Sequence, residues 1–173
     1  MNSTLVMNNS TVLAQYAFQR EYISLLVDDI PDERLCEQPG AGVNHPAWQL
    51  GHMANSANNF LVLFGGESKV DPSWKPMFGK DSIPKPDRNA YPKKAELIRV
   101  LDDRRTALAQ MIAEISDDEL SRPNPLPKLV GTLPTMGHLM LFGLVFHEST
   151  HLGQLASWRK AAGMVQAISK LGE

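Results

Sequence analysis

From Tyr91 to Ile115 the chain reads YPKKAELIRVLDDRRTALAQMIAEI, and its apolar residues return at the period of an α-helix. Leu97, Leu101, Leu108, Ile112 and Ile115 form one stripe, while Asp102, Asp103, Arg104 and Arg105 cluster away from it and read as a solvated face. An apolar stripe of this length needs other elements to bury it. Three more segments read as helices. Ser10 or Thr11 caps a first one running to about Val27, with Leu13, Tyr16, Ala17, Tyr22, Leu25 and Leu26 mainly on one side. A second starts near Pro46, where a first turn has no internal use for the missing proline N–H, and ends at Gly65-Gly66. The fourth runs from about Pro134 to Ala162 and stops at Gly163. The expected fold class is all-α, a four-helix bundle.

Between helices 2 and 3 lies ESKVDPSWKPMFGKDSIPKPDRNA, with prolines at 72, 76, 84 and 86. A connection this long inside a compact domain is usually either functional or disordered. Trp74, Met77 and Phe78 are poor material for a disordered linker and favour a packed crossover or lid. A short echo, IPDERLCEQP after helix 1 and ISDDELSRPNP after helix 3, precedes each histidine-bearing helix and suggests two similar helix hairpins packed together.

A length of 173 residues fits one domain, with residues 1–9 expected as a flexible tail. The net charge of −2 gives no electrostatic case for binding nucleic acid or an anionic membrane. No apolar run approaches the roughly 20 residues that span a bilayer. The opening MNSTLVMNNST lacks the basic and apolar regions of a signal peptide, and a lone Cys36 excludes an internal disulfide framework. A cytoplasmic location is expected.

The chemistry concentrates in FHESTHLGQ, Phe146 to Gln154, which contains H-E-x-x-H. His147 and His151 stack on one helical face and can aim two imidazoles at one divalent ion. A zinc peptidase needs a third ligand downstream, yet the metzincin positions hold Gln154 and Ser157. The only glutamate after His151 is Glu173, at the end of the chain, where fraying makes it a poor ligand. The peptidase reading therefore fails. His138 emerges from the opposite side of the helix. Upstream, His52 shares a face with Trp48, Asn55 and Asn59, a polar row that implies something polar at the bundle centre. His45 lies too far along the axis to share the ion and caps the helix or lines the pocket rim. The expected metal ligands are His52, His147 and His151, with a position left open as in catalytic sites. Such an ion can lower the pKa of a bound water or thiol. Glu148 is a candidate general base or ligand-orienting partner, or else a solvated glutamate. Gln154 could reach bound water or substrate. Trp48 and Trp158 read as packing.

NHPAWQLGHMA and HESTHLGQLASWRKAAG closely resemble the two signature helices of the DinB/YfiT-like superfamily. The resemblance follows the helix order and the long connection across nearly the whole chain. It implies an up-down-down-up bundle with a divalent metal, nickel or zinc, held by one histidine of the second helix and two of the fourth. On this sequence those are again His52, His147 and His151. It also implies a homodimer. Characterised members include S-transferases that use bacillithiol or mycothiol and a thiol-dependent maleylpyruvate isomerase, and other members are labelled metal-dependent hydrolases. The leading expectation is a metal-dependent thiol S-transferase acting on small electrophiles, with a low-molecular-weight thiol as partner. The alternatives are a metal-dependent hydrolase using water in the same position and a non-catalytic metal-binding or sensor bundle.

Overall fold

The computed structural model describes residues 9–40 and 42–171, and among them it contains helices and no strand. Residues 1–8 of the expected tail, like Glu173, lie outside the described residues; Asn9 already belongs to the first helix. The α-helices are α1 (Asn9–Val27), α2 (Pro46–Leu63), α3 (Trp74–Phe78), α4 (Lys94–Glu114), α5 (Asp117–Ser121), α6 (Met136–Leu141) and α7 (Glu148–Ala161). A π-helical segment, Phe142–His147, joins α6 to α7, so the expected fourth helix is one rod with a widened turn in its middle. The four long rods are α1, α2, α4 and α6–α7.

Their directions follow from side chains that meet. Asn9 reaches the carbonyls of Ile112 and Ile115, and Arg20 pairs with Asp102, so α1 and α4 run antiparallel. Gln19 meets Val145 and Ser149 while Arg159 meets Leu26 and Asp29, which makes α1 and α7 parallel. Gln49 meets Gln154 and His52 meets His147, so α2 opposes α7. The order is up-down-down-up. Two successive rods in the same direction require a chain return along the bundle, and residues 64–93 supply it. That is the physical reason for the long connection.

Burial explains why these segments are helical. Leu97, Leu101, Leu108 and Ile112 of α4 are each no more than 1% exposed, and fully burying such a side chain contributes about 1.5–3 kcal/mol. On α1 the buried stripe is Val12, Tyr16, Gln19, Ile23, Leu26 and Val27. The expected stripe holds only Tyr16 and Leu26 of these, because Leu13, Tyr22 and Leu25 flank the seam and Ala17 faces solvent. Helix α1 also starts one residue ahead of the expected cap, which puts Ser10 and Thr11 inside it. Helix α2 begins at Pro46 as expected and ends at Leu63, with Gly65 at φ +97° turning the chain out.

The charged cluster on α4 corrects a sequence expectation. Asp103 is exposed, but Arg104 and Arg105 are buried. Helix α4 packs against both α1 and α2, which narrows its wet face. Arg105 lies over the Tyr16 ring, 3.6 Å from its centroid, and pairs with Glu148 inside the bundle. At the far end, fully buried Arg159 binds Asp29, Leu26 and Val165, tying the chain after α7 to the end of α1.

The connection is a packed crossover. Trp74 and Phe78 of α3 enter the main core, and Phe78 is fully buried. Buried Asn58 fixes its start through Ser68 Oγ and the Lys69 N–H. Further along, Trp48 Nε1 donates to Ser82 Oγ, His45 Nε2 donates to the Lys85 carbonyl, and the Lys85 N–H donates to the Tyr91 hydroxyl. No helix of the described residues is long and apolar enough to cross a membrane.

Candidate metal centre

Helix α2 is buried on almost every side, so each polar residue in PAWQLGHMANSANNF must find a partner or line a cavity. His52 projects from its middle, and His147 and His151 project from the opposing rod. Their Nε2 atoms converge: His52 to His147 is 3.2 Å, and His151 to His147 is 3.3 Å. One ligand nitrogen from each imidazole lies within 4.8 Å of the others. Nitrogens at roughly 2.0–2.1 Å from one tetrahedral ion stand about 3.3 Å apart, so the spacing matches the edges of such a polyhedron.

The hydrogen-bond partners decide which nitrogens are free. His52 Nδ1 donates to the Phe78 carbonyl at 2.7 Å. His151 Nδ1 donates to Gln49 Oε1 at 2.6 Å. Both imidazoles therefore carry the proton on Nδ1 and a lone pair on Nε2, and both lone pairs face the third ring. Two lone pairs aimed at a third ring nitrogen form a cluster that suits a cation, so the donor set fits a divalent metal. The rings are also kept neutral. Burial pushes the pKa of His147 down to about 4 and that of His151 to about 3, and the neighbouring imidazoles push the same way. Burial lowers His52 as well, against the pull of the Phe78 carbonyl.

The surrounding residues divide into support and cavity. Trp48 stacks on His52 with centroids 4.6 Å apart and planes 13° off parallel. Trp158 is buried and donates to the Glu37 carbonyl, a packing role. His45 accepts from the Trp48 N–H and so caps α2; it is fully buried and does not line the cavity beside the imidazoles. Gln154 is exposed and accepts from Gln49 Nε2 at 2.7 Å, behind His151. His138 is exposed and bonded to Thr135 at the start of α6, outside the cluster. Glu148 is neither solvated nor within the cluster; its carboxylate is buried against Arg105. One step round the helix from His147 turns it toward α4.

Beside the imidazoles lies a cavity of about 750 Å³ bordered by His52 and His147. Asn55, Ser56 and Asn59 form its polar side, with Asn55 buried and Asn59 exposed. Phe60, Leu126, Leu129 and Phe142 form an apolar wall, and Lys75 and Lys80 of the crossover stand at its margin. Gly51 lets the crossover come this close, since a Cβ there would fall 2.2 Å from the Phe78 ring.

An up-down-down-up helical bundle with three imidazoles meeting beside a cavity defines a class of proteins by fold and site together. The chain belongs to the DinB superfamily: the family model DinB_2, described as DinB superfamily, matches residues 15–155, a span that contains all three histidines. Its fold is also similar to the crystal structure of a Streptococcus pneumoniae protein, with a TM-score of 0.61 and 16% sequence identity over 90% of this chain and 92% of that one. At that identity the likeness is one of fold. No curated protein matches the chain.

Proposed function

We propose that the chain binds one divalent metal ion through Nε2 of His52, His147 and His151 and uses it as a thiol S-transferase acting on small electrophiles. The observation that carries this reading is the convergence of the three nitrogens, two of them held as lone pairs by Phe78 and Gln49, at the wall of the cavity. Imidazole suits both nickel and zinc. When bound, the ion supplies the Lewis acidity that brings the pKa of a coordinated thiol toward neutrality.

The chain's own residues do the rest. Asn55 and Asn59 offer amides to the polar part of a low-molecular-weight thiol, and Lys75 offers charge to a carboxylate on it. Phe60, Leu126 and Phe142 hold an apolar electrophile and exclude water. With a chlorinated aromatic acceptor, the carbon–sulfur bond forms, chloride leaves with the carbon–chlorine electron pair, and the thiol proton passes to solvent. No carboxylate base is needed. The adjacent acid, Glu148, is committed to Arg105 and does not stand beside the three imidazoles. A cavity of this size also favours a guest over a closed, non-catalytic site.

The test is incubation of zinc- or nickel-loaded protein with bacillithiol, mycothiol or glutathione and a chlorinated aromatic acceptor. A conjugate that His147→Ala abolishes supports the reading. No conjugate with any of the three thiols removes the transferase assignment.

A further inference from the structure

Gln49 is fully buried, and both ends of its amide are used. Its Oε1 accepts from His151 Nδ1 at 2.6 Å, and its Nε2 donates to Gln154 Oε1 at 2.7 Å. An amide has one accepting and one donating end, so a partner that offers oxygen to one end favours the orientation that presents oxygen from the other. With Gln154 accepting, Gln49 presents oxygen to His151, and His151 carries its proton on Nδ1. If the amide turned over, Nε2 would face Nδ1, the proton would move to the other ring nitrogen, and no lone pair would point at the cluster.

From this we infer that Gln49 and Gln154 form a positioning pair that sets the tautomer of His151 and tunes the ion, an inference that rests on the metal-binding reading above. Outer partners of a ligating histidine orient the ring and set its basicity. Here both known outer partners, the Gln49 amide and the Phe78 carbonyl, are uncharged. Uncharged acceptors donate less electron density through the imidazoles than a carboxylate would. The ion therefore keeps more of its Lewis acidity, at the cost of weaker retention, and acidity is what a bound thiol requires. Gln154 is exposed, so the orienting end of the pair is open to solvent while the oriented end is buried.

The experiment measures zinc affinity by chelator competition for the wild type, Gln49→Glu, Gln49→Leu and Gln154→Leu, with circular dichroism to establish the fold. Removing or altering such outer partners changes metal affinity by about 10–100-fold. Gln49→Glu is expected to bind zinc at least about tenfold more tightly, and the pH at which thiol conjugation is half-maximal is expected to rise. Gln49→Leu is expected to bind about tenfold or more weakly, and surface variant Gln154→Leu more weakly by a smaller factor. A purely structural role for Gln49 would move Glu and Leu variants in the same direction, and that result overturns the inference. So does zinc affinity unchanged in all three folded variants. A wild-type chain that takes up no zinc overturns the metal-binding reading itself.

Discussion

The Phe78 carbonyl accepts the Nδ1 proton of His52 at 2.7 Å, so the crossover touches the imidazole cluster through its main chain. Fixing the His52 ring also fixes a backbone point in the return segment. Metal uptake is therefore expected to order the crossover. At a free zinc concentration 100 times Kd, binding to the folded state alone adds about 2.7 kcal/mol to stability. Amide exchange should slow most around residues 74–82, apart from the histidine-bearing helices themselves. Hydrogen-exchange mass spectrometry with and without zinc checks this, and unchanged exchange in the crossover contradicts it.

Arg105 and Glu148 are a buried pair linking α4 to α7. Removing one partner leaves the other charge unpaired in the interior, a loss of about 3–5 kcal/mol. Arg105→Leu is thus expected to lower the thermal midpoint strongly, and Glu148→Gln to lower it while zinc stoichiometry stays unchanged. If Glu148→Gln instead kept full stability and lost conjugation activity, the carboxylate would belong to the chemistry.

Acid should weaken the metal-free protein at mild pH. Burial holds His45 and His147 at about 4 and His151 at about 3 in the folded chain, against about 6.5 for an exposed histidine. Between those values the unfolded chain binds more protons than the folded one, so stability rises with pH across the interval. The contribution is complete above pH of about 6.5 and is lost as the pH falls through about 4. Asp32, lowered to about 2 chiefly by its bonds with Arg88, titrates below this window. Urea midpoints between these limits should fall with acidification, and His45→Asn should flatten the slope.

Much of this was legible in the sequence because helical periodicity carries direction. The i,i+4 spacing puts His147 and His151 on one face, and the polar row through His52 shows which side of α2 looks inward. Other parts left weaker marks. The π-helical segment at FGLVFH has no residue signature distinguishing it from ordinary helix. Phe78 acts through its carbonyl, so its side chain says nothing of the part it plays beside His52. Gln49 lies one position off the polar row, and its burial depends on how α7 packs over it; its only mark is being polar in a helix rich in apolar residues. Arg104 and Arg105 read as solvated because sequence shows the apolar stripe of α4 but not that a second neighbour covers the flank.

The proposed chemistry requires three imidazoles sharing one ion that keeps a place for a thiol, and X-ray absorption at the metal edge of zinc-loaded protein reads both at once. The expected spectrum shows three imidazole nitrogens at about 2.0–2.1 Å, and on adding a low-molecular-weight thiol it gains one sulfur at about 2.3 Å. Fewer than three imidazoles, or a closed shell that admits no sulfur, would contradict it.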